Sequence, residues 1–413
     1  MTDRVKLRFR IVIISFLLFS VVGAFAQSAA VAVCADTLTS DSVSLPWDER
    51  LKSELAELVA DKSLATSHVG ICVYDITADS LLFDHHGNQL LRPASTMKLL
   101  TSITALSKLG GAYTFNTHLY QTGEVVDTVL NGNLYVVGSF DPKFSTDDLH
   151  AMVDCVQQLG IKRIAGGIFA DMSMKDSIPY GQGWSWDDEN PKLIPLQLNQ
   201  RNVVLKEFER RLKEVGISVD TTGLALCPMD NARLLVRRFH TIDQVLLRMM
   251  KRSDNLYAEA MFYQLPRAGK HGLYANASQA ADVIGSLIRK VGFVPSDYNI
   301  ADGSGLSPYN YLSAELLVGF LRYAYANPMI FNHLYPSLPV AGNDGTLSSR
   351  MKTGKAENNV HAKTGTLRGV SSLAGYATAS NGHFIAFAII NQGIMRQATG
   401  RNWQDKVCQA ICR

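Results

Sequence analysis

The stretch Arg92-Pro93-Ala94-Ser95-Thr96-Met97-Lys98-Leu99-Leu100-Thr101 decides how the rest of the chain is interpreted. Pro93 disfavours helix in the residue before it, and neither Gly nor Pro follows until Gly110. Apolar residues then recur at helical spacing, which predicts a buried or half-buried helix. These apolar positions are Leu99, Leu100, Ile103, Leu106 and Leu109.

Ser95 and Lys98 stand three residues apart at the beginning of this helix, so their side chains share one face. Free N–H groups at a helix N-terminus favour negative charge that develops on a hydroxyl. A lysine held against an apolar helix loses hydration, which lowers its pKa and lets it act as a base. The pair predicts an activated serine, and a capping serine beside an unrelated surface lysine is the alternative.

The chain begins with the pattern of a secretory signal peptide. Basic residues at positions 4, 6, 8 and 10 precede an apolar run, and Ala24-Phe25-Ala26 offers small residues for cleavage. We expect a signal peptide over residues 1–26 and a flexible leader over 27–45, with an uncleaved anchor as the alternative. The predicted location is the periplasm or cell envelope, and no later stretch is apolar enough to span a membrane.

Composition narrows the possible partners. The formal charge of +3 arises from 40 Lys and Arg against 37 Asp and Glu, and removal of the signal leaves 36 of each. A neutral chain gives no reason to expect nucleic acid as a partner.

The six cysteines contain no Cys-x-x-Cys pair, which argues against a zinc site. Cys408 and Cys412 are interpreted as packing residues on one helix.

The pattern of apolar residues changes along the chain. Segments 46–113 and 239–413 combine helices with strands, and Asn381-Gly382 predicts a tight hairpin turn between two of these strands. Short strand-like segments dominate 114–238, which is predicted to be a separate α+β domain. Trp184 and Trp186 are interpreted as its core, with a sugar-binding platform as the alternative. The predicted fold is therefore α+β, an antiparallel sheet covered by helices and interrupted by an inserted domain.

Three short motifs follow one another in order: Ser95-x-x-Lys98, Ser253-x-Asn255 and Lys363-Thr364-Gly365. They fall at a helix start, between two helices and on a strand, respectively. Second copies of two motifs occur at Ser349-x-x-Lys352 and Lys352-Thr353-Gly354, in a polar segment that favours neither helix nor strand. Order and context therefore select the first set.

In these motifs the chain resembles the class C low-molecular-mass penicillin-binding proteins, which are D-alanyl-D-alanine carboxypeptidases and often endopeptidases too. That family has a serine β-lactamase/DD-peptidase-like fold with a domain inserted between the first two motifs. Pro308 departs from the family, which often has a basic residue there. Further matching segments are 134–138 with Asp141-Pro142, 302–307, 338–342 with 344–347, and 362–367.

The resemblance implies a role for each motif. Ser95 would be the nucleophile and Lys98 its base, and whether Ser253 relays the proton is left open. Asn255 would orient Lys98 and donate to the substrate amide.

The third motif would bind the substrate. Lys363 would offer a positive charge, and Thr364, Gly365 and Thr366 would line the site of the terminal carboxylate. The N–H groups of Ser95 and Thr366 would form the oxyanion hole.

The sequence thus predicts an exported serine DD-peptidase that hydrolyses D-Ala-D-Ala bonds of peptidoglycan stem peptides, is acylated by β-lactam antibiotics and needs no metal or cofactor. A serine β-lactamase is one alternative, but the Glu-x-x-x-Asn sequence that its deacylation step requires is missing between Asn255 and Lys363. A non-catalytic peptidoglycan-binding module is the other, and three intact motifs argue against it.

Overall fold

The computed structural model describes residues 45–185, 190, 192–267 and 274–413. The predicted signal peptide, nearly all of the predicted leader, and Trp186 lie outside the described residues. None of the helices in the described ranges is long and apolar enough to cross a membrane.

The helices begin and end as follows. They are α1 (Trp47–Val59), α2 (Met97–Leu109), α3 (Thr146–Gln158), α4 (Val204–Glu214), α5 (Ile242–Lys251), α6 (Asn255–Gln264), α7 (Ala277–Lys290), α8 (Ala314–Tyr325), α9 (Pro328–Ser337) and α10 (Gln397–Cys412).

The strands occur singly or in groups of two to four between these helices. They are β1 (His68–Asp75), β2 (Ser80–His85), β3 (Thr114–Gln121), β4 (Glu124–Val126), β5 (Val129–Asn131), β6 (Leu134–Gly138), β7 (Arg163–Asp171), β8 (Ser218–Leu224), β9 (Arg233–Thr241), β10 (His361–Leu367), β11 (Val370–Thr378) and β12 (Phe384–Gln392).

The first sheet is antiparallel and joins the two ends of the described chain. Its order is β10-β11-β12-β1-β2, so that β10, which carries the third motif, lies at an edge. Successive side chains of β12 point to opposite faces. Phe387 packs with residues of α1 and α10, whereas Ala388 packs with residues of α2 and of α5 to α9. Because both faces are covered, β12 is a nearly continuous apolar run. The predicted antiparallel sheet covered by helices is confirmed.

Residues 114–241 supply a second, mixed sheet. β3 pairs antiparallel with β6 and β9, β7 pairs parallel with β5, β6 and β8, and β4 pairs antiparallel with β5. Helices α3 and α4 pack on this sheet around a core of their own. β9 continues to Thr241, three residues past the predicted boundary, and the division into domains stays a prediction.

Several elements were not expected from sequence, among them β8, β9 and α9. β8 is mostly exposed and lacks the apolar alternation that indicates a strand, and only one of the nine residues of β9 is buried. α9 begins with Pro328 and contains Pro336, a residue that normally argues against a helix interior. In each case partners distant in sequence stabilise an element that the local pattern does not indicate.

The helix predicted after Pro93 is confirmed, and most of its side chains are buried. A 3₁₀ turn over Ala94–Thr96 leads directly into α2, and every side chain from Met97 to Leu106 is buried. Lys98 is therefore carried by a core helix and not by a surface one. Cys408 and Cys412 are buried free thiols on α10, as expected of packing residues.

The interpretation of Trp184 as core of an inserted domain was wrong. Its ring packs against the core formed by α2 and α5 to α9, and its Nε1 donates to Asp302 Oδ2 at 2.8 Å. The chain leaving the second sheet returns here to the helical core, which the local sequence does not reveal.

Candidate active site

The turn that presents Ser95 is strained and firmly held. Ala94 has a φ of +48°, in the left-handed region that side chains other than glycine rarely adopt. The carbonyl of Pro93 accepts bonds from Thr96 Oγ1 at 2.7 Å and Ser372 Oγ at 2.6 Å. Ser372 lies on β11, so the sheet itself fixes the turn and opposes its relaxation.

Gly365 allows strand β10 to approach this turn. A Cβ atom at position 365 would lie 2.1 Å from Ser372 Oγ, 2.7 Å from Pro93 O and 2.9 Å from the backbone nitrogen of Ser95. No side chain fits these distances. The third motif therefore needs glycine so that its backbone can pass directly beside the serine.

Lys98 is the centre of the hydrogen-bond network. Its Nζ donates to Ser95 Oγ at 2.9 Å, to Asn255 Oδ1 at 2.8 Å and to the carbonyl oxygen of Ser304 at 2.8 Å. The side chain is 0 % exposed. Three segments far apart in sequence thus meet at one ammonium group.

Burial lowers the pKa of Lys98 to about 8, although Asp302, Glu259 and Asp254 oppose this decrease. Loss of hydration disfavours the charged amine, and nearby carboxylates favour it. A lysine with this pKa is partly neutral near physiological pH, as a general base must be.

The second motif follows directly after α5. Ser253 has a φ of +56°, and this kink lets Asp254 cap α6 by accepting from the backbone N–H of Tyr257. Asn255 is the first residue of α6. Its Oδ1 accepts from Lys98, which leaves Nδ2 to donate to Asn190 Oδ1 at 3.1 Å.

Lys363 lies beneath the cleft. Its Nζ donates to Ser253 Oγ at 2.9 Å and to the carbonyl oxygen of Thr364 at 2.7 Å, and its side chain is 0 % exposed. Burial, helped by the charge of Lys98, holds its pKa well below the usual value for lysine. The predicted residue is present at the site, but its ammonium faces Ser253 and the strand, and not the open cleft.

The open part of the site is a cleft of about 320 Å³ beside Ser95. Ser253, Thr364 and Thr366 line it, together with Thr346, whose hydroxyl lies 2.7 Å from that of Thr364. All eight residues predicted for the site therefore come together here or directly beneath it. Lys352 of the duplicated motif is exposed in a segment without strand structure.

Several participants were not assigned a role from sequence, and three of them bear on the chemistry. Thr346 and Arg401 line the cleft, and Glu259 lies behind Lys98. The Asp344–Leu347 segment was part of the family resemblance, which is the signal that could have indicated Thr346. A glutamate on an apolar helix was the signal for Glu259, four residues after Asn255. Nothing in the local sequence indicates Arg401.

Glu259 and Asp302 hold the loop whose carbonyl contacts Lys98. Glu259 Oε1 accepts from the backbone N–H groups of Gly303 at 3.1 Å and Ser304 at 2.8 Å. Asp302 accepts from the N–H groups of Gly305 at 2.7 Å and Ser307 at 2.6 Å. Burial and the nearby charge of Asp302 raise the pKa of Glu259 to about 8. This carboxyl group therefore retains its proton to a higher pH than an ordinary glutamate.

Within the described ranges, no group of three His, Cys, Asp or Glu side chains is placed to hold a metal ion. The residues that meet at Ser95 offer hydroxyl, amine and amide groups, which suit acyl transfer through a serine.

A family model described as the D-Ala-D-Ala carboxypeptidase 3 (S13) family matches residues 51–196 and 196–411. The chain belongs to this family. It is a serine-type D-Ala-D-Ala carboxypeptidase, and the resemblance and the enzyme class expected from its sequence are confirmed.

Two curated relatives and a solved structure agree with this assignment. D-alanyl-D-alanine carboxypeptidase DacB of Haemophilus influenzae is 26% identical, over 85% of this chain and 90% of that protein. A D-alanyl-D-alanine carboxypeptidase of Actinomadura is also 26% identical, over 83% of this chain and 81% of its own length. The crystal structure of penicillin binding protein 4 from Haemophilus influenzae superposes with a TM-score of 0.74 at 23% identity, covering 86% of this chain and 97% of that one. This likeness confirms the fold.

We expect Glu259→Gln to change how stability depends on pH. The folded-state pKa of Glu259 is raised, so its contribution is full below the unfolded pKa and is lost as pH rises towards about 8. The free energy of unfolding of the Gln variant should therefore rise relative to that of the wild-type protein as pH increases from 5.5 to 8.5. Urea denaturation at both pH values measures this.

Glu315→Gln is the matched control, because Glu315 is exposed on α8. It should follow the wild-type pH dependence. If the Glu259 variant did so as well, Glu259 would titrate as an ordinary carboxylate.

Proposed function

We propose that this carboxypeptidase cleaves the D-Ala-D-Ala bond of peptidoglycan stem peptides through an acyl-enzyme on Ser95. The observation that carries the proposal is the 2.9 Å bond between Lys98 Nζ and Ser95 Oγ on a buried helix. A nucleophile and a base within hydrogen-bond distance, with the base oriented by further groups, are the usual arrangement for covalent catalysis.

Neutral Lys98 takes the proton of Ser95 as Oγ attacks the carbonyl carbon of the penultimate D-Ala. The resulting oxyanion is stabilised by the N–H groups of Ser95 and Thr366, and the close approach that Gly365 permits supports this pairing. The C–N bond then breaks, the departing D-Ala amine receives the proton, and the acyl group stays on Ser95. Water, activated by the same base, hydrolyses the ester.

The second and third motifs position these groups. Asn255 holds Lys98 through its Oδ1. Its Nδ2 can donate to a substrate amide once its hydrogen bond to Asn190 is broken. Lys363 holds Ser253 by its hydroxyl beside the cleft, and Lys98 itself returns the proton to the leaving amine. Thr364 and Thr366 offer hydroxyls to the terminal carboxylate.

We also propose that the enzyme acts in the periplasm or cell envelope and is acylated by β-lactams. The signal-like N-terminus supports export, and the Haemophilus influenzae relative is named a penicillin-binding protein. In this proposal residues 46–113 and 239–413 form the peptidase domain, and residues 114–238, which carry most of the second sheet, form an inserted domain.

Ser95→Ala should abolish both labelling by a fluorescent penicillin and hydrolysis of a D-Ala-D-Ala peptide, because no other hydroxyl contacts Lys98 among the residues described. Intact-mass analysis of the wild-type protein, followed by peptide mapping, should place the penicilloyl group on the peptide that contains Ser95. An adduct on another serine would show that the nucleophile was assigned wrongly.

Acylation by penicillin should accelerate as pH rises. Only the neutral amine of Lys98 accepts a proton, and with a pKa of about 8 its neutral fraction grows about tenfold per pH unit below that value. The rate constant for acylation should rise from pH 6 to about 8 and then level off. Lys98→Ala should be slower by roughly 10²–10⁴-fold and should lose this dependence. A flat wild-type profile would contradict the assignment of the base.

Lys363→Ala and Lys352→Ala should separate the two copies of the third motif. Loss of the buried amine that holds Ser253 should lower kcat/KM on a D-Ala-D-Ala peptide by roughly 10- to 100-fold, as loss of a partly buried hydrogen bond that leaves its partner unsatisfied, worth about 1–3 kcal/mol, would. Lys352 is exposed, and its replacement should change the activity by less than about 0.5 kcal/mol. Equal losses would show that the wrong copy was chosen.

A further inference from the structure

The terminal carboxylate of the substrate needs a cation that it can reach. Both D-Ala-D-Ala peptides and penicillins carry a carboxylate close to the bond that is attacked. Lys363 would be the obvious partner, but its Nζ is bonded to Ser253 Oγ and Thr364 O and its side chain is 0 % exposed. Any charge that faces a substrate in the open cleft would therefore come from another residue.

Two arginines line the cleft, and they differ in how their charge is used. Arg350 is already neutralised, because its Nη2 and Nε donate to Asp405 Oδ1 at 2.6 and 2.9 Å and its side chain is only 10 % exposed. Arg401 is exposed and, among the residues described, has no carboxylate within ion-pair distance. Its charge is available to a ligand.

Arg401 already points to the proposed carboxylate site. Its Nη2 lies 3.4 Å from Thr366 Oγ1, a long bond that a carboxylate oxygen can replace. Ser95 and Thr364 line the same cleft. One guanidinium and two threonine hydroxyls thus surround the space next to the nucleophile.

The backbone that carries Arg401 is anchored to the sheet. Gln397, in the first turn of α10, donates from Nε2 to the carbonyl of Leu367 at 2.7 Å. Gly400 packs so closely that a Cβ atom there would lie 3.1 Å from Ser371 Cβ. Only the flexible side chain of Arg401 has to adjust when a ligand binds, which keeps the cost of ordering low.

We propose that Arg401 binds the terminal carboxylate of the substrate, together with the hydroxyls of Thr364 and Thr366, and so selects peptides that end in a free D-amino acid carboxylate. The planar guanidinium can donate two parallel bonds to a carboxylate, which a lysine cannot do. This inference rests on the proposed attack by Ser95, because the carboxylate site is defined by its distance from the bond that is cleaved.

The test compares two peptides that end in D-Ala-D-Ala, one with a free carboxylate and one with a C-terminal amide. Arg401→Gln should lower kcat/KM on the free acid roughly 10- to 100-fold, mainly through KM, as loss of a charge-assisted pair would. It should leave the lower activity on the amide nearly unchanged. Arg401→Lys keeps the charge and should recover part of the loss.

Arg368→Gln is the matched control, because Arg368 is exposed between β10 and β11 and does not line the cleft. It should match the wild-type enzyme on both peptides. Equal losses of the Arg401→Gln variant on acid and amide, or no loss on either, would overturn the role of Arg401 in an otherwise active enzyme. A wild-type protein that cleaves neither peptide would overturn the proposed function and this inference with it.

Discussion

The site depends on the three hydrogen bonds that the buried Nζ of Lys98 donates. They join the serine turn, the start of α6 and the loop at Ser304, which belong to three separate parts of the chain. A buried amine that is shielded from water must donate each of its N–H groups to an acceptor within the protein. Each of these three segments is therefore held at hydrogen-bond distance from Lys98. The same burial lowers the pKa of Lys98. Burial is therefore the common cause of its structural role, which is to join the three segments, and of its chemical role as a base.

Two positions with a strained backbone lie close to this lysine. Ala94 and Ser253 both adopt positive φ values, and neither is glycine. Such residues cost roughly 1–3 kcal/mol each and persist only where the surroundings hold them. Ser372, on the sheet, holds the turn at Ala94 through its bond to the carbonyl of Pro93. Ser253 is followed directly by Asp254, the N-cap of α6. The packed core on both faces of the sheet stabilises a rigid frame that can offset this strain.

The cations of the site divide into two kinds. Lys98 and Lys363 are buried, hydrogen-bonded and shifted towards neutrality, which suits proton transfer and the positioning of hydroxyls. Arg401 is exposed, and its guanidinium lies beside the cleft where a ligand can reach it. Lys363 lies beneath the cleft and holds Ser253. In our proposal, Arg401 supplies the charge that the family resemblance had assigned to Lys363.

The sequence by itself determined the helix of Ser95 and Lys98, most of the strands and the order of the three motifs, because periodicity and turn residues act over short distances. It also separated Lys363 from Lys352, since only one has strand neighbours. Tertiary structure decided what depends on long-range packing: the strand β8 without apolar alternation, the helix α9 with its internal proline, and the place of Trp184 against the helical core. It also decided that the side chain of Lys363 is buried and that of Arg401 is exposed. Exposure depends on segments distant in sequence that come together only in the folded protein.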